Sequence, residues 1–257
     1  GEGDRSLADW FFEQRRIRIR DATIVWEDAL RGALPLVLDD LQFVLDNRGD
    51  RHLFGLSALP PARLAARLHL RGDVRGNPVD GLEQLSGRVF AELDYADLAG
   101  WRAWVDYPVR LEQGRGALRI WGEWKKGVVG AVADLALEDV RIQFGRDLPQ
   151  LDLASMRGRL QGKYGSETWQ FGGRQIELST LSGIRVPPSD FEFSWWQPSA
   201  GSEGGKIGGT ATANYVDLQA LQQLAAYLPL DARSRELLKT HQPRGRIGPR
   251  AQPHLGV

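Results

Sequence analysis

Apolar and polar residues alternate along much of this chain, and the alternation breaks at aspartates. Ile17 and Ile19 alternate with Arg16, Arg18 and Arg20; at Asp21 the phase flips, and Ala22, Ile24 and Trp26 become the apolar set. A period of two marks a half-buried strand. A one-residue flip within it requires a bulge or tight turn at the aspartate. The flip recurs where Leu135 and Leu137 alternate and Asp139 resets the phase to Val140, Ile142 and Phe144. Asp39 and Asp40 stand at another such change, a habitual place for turn aspartates. Leu118, Ile120 and Trp124 form a further series, as do Ile176 with Leu178, and Phe191 and Phe193 with Trp195.

These landmarks repeat. Asp139 follows Asp21 by 118 positions, and Phe144 follows Trp26 by the same 118. A Leu-Pro comes after each segment, Leu34-Pro35 and Leu148-Pro149, 114 apart. Tyr95-Ala96-Asp97-Leu98 matches Tyr215-Val216-Asp217-Leu218, 120 positions on. A short helical pattern follows each: Leu98, Trp101, Trp104 and Val105, then Leu218, Leu221, Leu224, Ala225 and Leu228. Asp97 and Asp217 are suited to cap these helices, since a carboxylate accepts the orphan amide protons of a first turn. Pro108 and Pro229 close the two stretches, 121 apart.

The expected architecture is mainly β with short helices: an elongated, twisted antiparallel sheet curved into a groove and built from two repeats of about 120 residues. The first repeat is 1–130, with a capped helix near 97–106. The second is 131–238, with a helix near 217–228. Two separate globular domains dividing near residue 130 are the alternative. Residues 239–257 carry Lys239, Arg244, Arg246 and Arg250 among three prolines without any period, and are expected to form a disordered basic tail.

Composition limits the function. Lysine plus arginine equal aspartate plus glutamate at 33 each, so no global field exists to hold nucleic acid, and no nucleic-acid partner is expected. Cysteine is absent, which excludes disulfides and thiolate zinc sites. Position 1 is glycine and the single methionine is Met156, which implies a processed chain or a piece of a longer one. No run of roughly 18 apolar residues could cross a membrane, so any anchor is expected outside the segment. Nine tryptophans stand out. Packing in the core is the expected role of Trp26, Trp121, Trp124, Trp169, Trp195 and Trp196.

The sequence offers no catalytic motif. His52, His69, His241 and His254 lack partners at ligand spacing and read as structural or solvated. Gly204-Gly205-Lys206-Ile207 fails as a phosphate loop because Ala200 and Ile207 replace the required glycine and hydroxyl. Ser57 has Gly55 before it but Leu59 where a nucleophile elbow needs glycine. No metal or cofactor is expected. Function is therefore sought on the apolar strand faces. Arg16, Arg18, Arg20, Glu138 and Arg141 would take the wet side. The other side is either covered by helices or a second sheet, or left as an apolar trough able to hold acyl chains.

The wording of the chain favours the trough. The runs IRIRDATIVWED, LPLVLDDLQFVLDNRGDRHLF and AARLHLRGDVRG resemble the AsmA-like envelope proteins of the YhdP branch. So do Asp97 to Trp124 and Val132 to Leu160, and the likeness extends over roughly residues 10 to 235, with Trp101 to Pro108 its most distinctive patch. This resemblance implies one internal section of a bridge-like protein in the periplasm of a Gram-negative bacterium. Such a protein is anchored in the inner membrane by a helix outside this chain, and carries phospholipid tails along repeating β-groove units towards the outer membrane. The expected partners are phospholipid acyl chains, the inner membrane and other envelope proteins. The candidate groove residues are Ile17, Ile19, Ile24, Trp26, Leu118, Ile120, Ile142, Phe144, Phe191, Phe193 and Trp195. The alternatives are a structural or assembly-regulating envelope protein without a conduit, and an enzyme acting on envelope glycans.

Overall fold

The computed structural model describes residues 10–28, 32–76, 84–165, 167–196, 208–230 and 245–248. Residues 10–13 form a helical turn (α1) that leads into β1, Arg16–Trp26. The strands β2 (Leu36–Arg48), β3 (Arg51–Leu59), β4 (Leu68–Arg75) and β5 (Ser86–Asp97) follow, then α2 (Leu98–Trp101). Next come β6 (Arg110–Lys125), β7 (Val128–Gln143), β8 (Leu151–Tyr164), β9 (Thr168–Thr180), β10 (Arg185–Trp196) and β11 (Gly208–Ala213). The two-residue β12 (Val216–Asp217), α3 (Leu218–Leu224) and β13 (Arg246–Ile247) complete the described elements.

Strands β1 to β11 pair antiparallel in chain order as one elongated, curved sheet that does not close into a barrel. The expected boundary near residue 130 falls inside β7, so one sheet runs through it without a break. In each, five strands lead to a capped helix: β1–β5 to α2, and β7–β11 to α3. Both caps form as the sequence implied. Asp97 Oδ1 accepts from the Gly100 amide at 3.0 Å, and Asp217 Oδ1 accepts from Gln219 and Ala220 at 3.0 Å each. Both helices are shorter than their apolar periodicity suggests. After Trp101 the chain continues as a turn, with the Trp104 and Val105 amides both donating to the Trp101 carbonyl.

The tail lies mostly outside the described residues. Arg246 and Ile247, expected to lack a strand, instead pair with Asp217 and Val216.

The phase flips are bulges. Asp21, Asp40, Asp139 and Gln175 hold φ values of 51°, 46°, 51° and 50°, a region that costs a side chain energy unless local bonds support it. Those bonds are present. Asp21 accepts from Gln42 at 2.8 Å, Asp40 from Arg67 at 2.6 Å and Asp139 from Arg115 at 2.5 Å, while the Gln175 amide donates to Asp190 at 2.7 Å. Register breaks accompany them along β1, β2, β5, β6, β7, β8, β9 and β10, always towards the same ends of the strands. Each bulge bends its strand and tightens the local twist.

Beyond this line the sheet carries its connections 60–67, 98–109 and 144–150, here called the helix margin. The opposite, hairpin margin carries tight turns. Lys126 and Gly127, both at positive φ, join β6 to β7 as a two-residue turn whose twist matches the strands. The core sits at the helix margin. Leu98, Leu111, Leu137, Val140, Leu151 and Leu153 are buried there, with Trp101, Tyr107, Leu224 and Tyr227 packed over them.

Candidate functional site

Directly opposed residues in a sheet share a face, so the register can be followed across the molecule. One row begins at Ile19 and runs through Phe43, Leu56, Leu70, Ala91 and Ile120. It continues through Ala133, Leu160, Gly173, Phe191 and Ala213. The row crosses all eleven strands without a polar side chain. The next row on the same face does likewise, from Ile17 through Val89 and Ala131 to Phe171, Phe193 and Ala211. At about 4.8 Å per strand, the ten intervals give an apolar track about 48 Å long.

Large side chains alternate with glycines along the track. A Cβ on Gly72 would sit 2.2 Å from the Phe54 ring, and one on Gly173 would sit 2.5 Å from Phe191. The glycines let aromatic rings lie down on the sheet as a smooth floor. Towards the hairpin margin a third row sets Trp124, Val129, Tyr164, Trp169 and Trp195 on this face. Tyr164 and Trp169 meet edge-on at 4.3 Å, and Phe191 contacts both Phe171 and Phe193 within 6 Å.

The candidate residues all fall on this face but divide by environment. Ile19, Ile120, Phe193 and Trp195 stand open, with Phe193 at 50% and Trp195 at 53% exposure. Ile17 and Phe191 share the open rows and are half-buried. Ile24 and Trp26 lie past the Asp21 bulge on the edge strand, exposed but opposite the end of β2 that carries the buried Leu36 and the half-buried Leu38. Leu118, Ile142 and Phe144 are on the covered part, packed against the buried cluster beneath α2 and α3. The face is thus covered along the helix margin, and on β2 and β3 residues 10–14 also lie over it, with Phe11 against Phe43, Phe12 against His52, and Leu45 and Asn47 buried; elsewhere the track is open.

The expectation that the tryptophans pack in the core is corrected here. Trp26, Trp169 and Trp195 are each more than half exposed, and Trp121 and Trp196 are also exposed. Alternation reveals which residues share a face but not whether another layer covers it. Val129, Tyr164, Trp169 and Phe171, all exposed on the apolar face, were not among the candidates. The Gly172-Gly173 pair hides the continuation of the Trp169–Phe171 series into Ile176.

The reverse face carries charge ladders. Arg51 clasps Asp73 through two bonds of 2.8 and 2.9 Å, and Arg88 adds a third at 3.1 Å. Arg119 pairs with Glu92 at 2.7 Å, and Arg159 with Asp134 through bonds of 2.5 and 2.8 Å. Hydrogen bonds from Arg51 and then Arg88 hold the Asp73 carboxyl well below the usual carboxylate range, and Arg159 lowers Asp134 in the same way. Arg16, Arg18, Glu138 and Arg141 lie on this face.

Chemistry of other kinds finds little support among the described residues. No group of three or more His, Asp or Glu is placed to hold a metal. His52 is structural: buried, with Nδ1 2.8 Å from Asn47 Oδ1 and Nε2 3.1 Å from the Gly76 carbonyl. His69 stands on the charged face between Ser57 and Glu92. Residues 204–207, His241 and His254 lie outside the described residues. Glu123 and Glu192 share a depression with Trp121 on the charged face, but they stand on β6 and β10. Four strand spacings separate them by about 19 Å along the sheet. A glycosidase pair needs about 5 to 9.5 Å.

No helix among the described residues is long and apolar enough to cross a membrane. No curated protein matches the chain, and no solved structure does. The family model described as YhdP protein matches residues 1–251, nearly the whole length. The chain belongs to the YhdP family, a family of envelope proteins.

Proposed function

We propose that this chain is a non-catalytic segment of a periplasm-spanning protein, anchored in the inner membrane, that carries phospholipids between the inner and outer membranes along its apolar face. One observation supports the reading above others: two rows of apolar residues and glycine cross every strand of an open sheet and, except at the buried Leu45 and Gly173, stay at least partly exposed. Exposed apolar tracks of this extent mark interaction surfaces. A conduit for lipid tails needs no nucleophile and no metal, and YhdP is not known as a family of enzymes.

The energetics suit transit. Each methylene moved from water onto a dry surface gains about 0.8 kcal/mol. On an open track, one side of the chain remains wet, so roughly half of that is realised. A tail is held against water yet meets no pocket that fixes its position, and can slide from strand to strand. Direction must come from a gradient or from partners.

The test is lipid extraction and mass spectrometry on the gently purified protein. Phospholipid in excess of that carried by an unrelated β-rich control is expected. A folded, lipid-free protein would overturn the proposal in favour of a structural or assembly role.

A further inference from the structure

We propose that the hairpin margin beside the open track holds the phosphate of a lipid headgroup whose tails lie on the apolar face. This inference rests on the lipid-carrying reading and assigns it a second, polar site. The chain as a whole is neutral, yet charge is concentrated at one place. A depression of about 610 Å³ at the ends of β4, β6 and β8 is lined by Arg75, Arg88, Lys125, Lys126 and Lys163, against two carboxylates, Asp73 and Glu123.

Of the five cations, only Arg88 is ion-paired with a carboxylate of the lining among the described residues. Asp73 is already engaged by Arg51 and Arg88. Glu123 leans over Gly130, its Oε1 only 3.3 Å from where a Cβ would be. Arg75, Lys125, Lys126 and Lys163 make no ion pair among the described residues. The backbone of two of these lysines is set by the hairpin, because Lys126 is part of the tight turn with Gly127 and Lys125 closes the strand before it.

The depression straddles the margin. Trp124 and Gly87 belong to the apolar face, while Arg88, Glu123 and Lys163 belong to the charged face, and all of them line it. The apolar row that ends at this margin is aromatic, with Trp124, Tyr164, Trp169 and Trp195 in register. Tryptophan and tyrosine favour the boundary between hydrocarbon and water, where the glycerol backbone of a lipid lies. Apolar floor, aromatic lip and a cluster of cations thus follow one another in the order of tail, glycerol and phosphate. A phosphate diester offers acceptor oxygens and negative charge for ammonium and guanidinium donors.

The experiment compares two lipids with the same brominated tails, phosphatidylglycerol and diacylglycerol, titrated into the whole chain in neutral detergent and read by tryptophan quenching. Phosphatidylglycerol is expected to bind about tenfold tighter, the size of one charge-assisted contact. The gap should shrink as salt is raised. The triple variant Lys125→Gln, Lys126→Gln, Lys163→Gln should bring phosphatidylglycerol to the diacylglycerol level and leave the diacylglycerol curve in place. Equal affinities in the unmodified protein, or a gap that survives the triple variant, would overturn the headgroup site and leave the track intact. Quenching by neither lipid would instead refute the lipid-carrying reading. Inorganic phosphate that closes the gap at millimolar concentration and constant ionic strength would mark a free-phosphate site, against the assignment.

Discussion

Placing two charges on the open track should block loading without unfolding the sheet. Ile120 and Phe193 are suitable positions because both belong to the uncovered rows, at 39% and 50% exposure, and neither belongs to the buried cluster. In Ile120→Asp with Phe193→Asp, each carboxylate keeps its water and denies an acyl chain about three or four methylene contacts. At half of 0.8 kcal/mol per methylene, the pair costs about 2–3 kcal/mol, or roughly 30- to 150-fold in lipid affinity. Quenching of tryptophan by brominated phospholipid measures that affinity, and circular dichroism with thermal melting checks the fold. The matched control is Val44→Asp, an exposed apolar residue in register with Arg18 and Gly55 on the charged face. It should change affinity by less than about twofold, since surface changes away from the contact are near neutral. A folded double variant that binds as well as the unmodified chain, or a control that loses as much, would refute the assignment of the face.

Further expectations concern the frame. Asn47 donates to the carbonyls of Phe11, Phe12 and Gln14 at 3.3, 3.2 and 2.6 Å, so Asn47→Ala should cost about 1–3 kcal/mol by denaturant unfolding, and release residues 10–14 to proteolysis first. At Asp139, with φ of 51°, a β-branched Asp139→Val should cost more than Asp139→Gly by about 1–2 kcal/mol, read as a difference in denaturation midpoints. Asp73, Asp134, Asp46 and Asp40 all titrate lower in the folded chain, chiefly through hydrogen bonds from Arg51, Arg159, Arg16 and Arg67. Their stabilisation is complete above the model-peptide value of 3.8 and is lost as pH falls through the lower folded values. Melting temperature should therefore drop below about pH 4, and Asp73→Asn should flatten that drop.

The frame was legible where side chains advertise it. Asp21 and Asp139 interrupt a strict alternation, so each bulge could be located to the residue. The bulge at Gln175 could not, because Gly172 and Gly173 remove the side chains that would have displayed the phase. Helix length was overread at Leu98–Val105, where Gly100 and two tryptophans favour a single turn that docks on the sheet over a longer helix. For the site, alternation assigned the candidates to one face, yet gave no way to separate Ile120, in the open, from Ile142, beneath the helices. Cover is a property of tertiary packing, set by residues such as Leu224 and Tyr227 that lie far along the chain. The tryptophans were misjudged for the same reason: a large apolar side chain on a strand looks alike whether it packs under a layer or lines an open track. The lysines gathered at the hairpin margin carry no local signal of a shared site, since register alone brings Lys125 and Lys163 to one edge.

The most direct test of a lipid track is a photo-crosslinking scan in living cells carrying radiolabelled phospholipid. A diazirine amino acid is placed in turn at Ile19, Ile120, Phe171 and Phe193 on the open rows, and at Val44, Arg119 and Glu192 on the charged face. Labelled adducts at the open-row positions and none on the charged face are the predicted result. Adducts on neither face, or equally on both, in a protein that remains folded and expressed would contradict it.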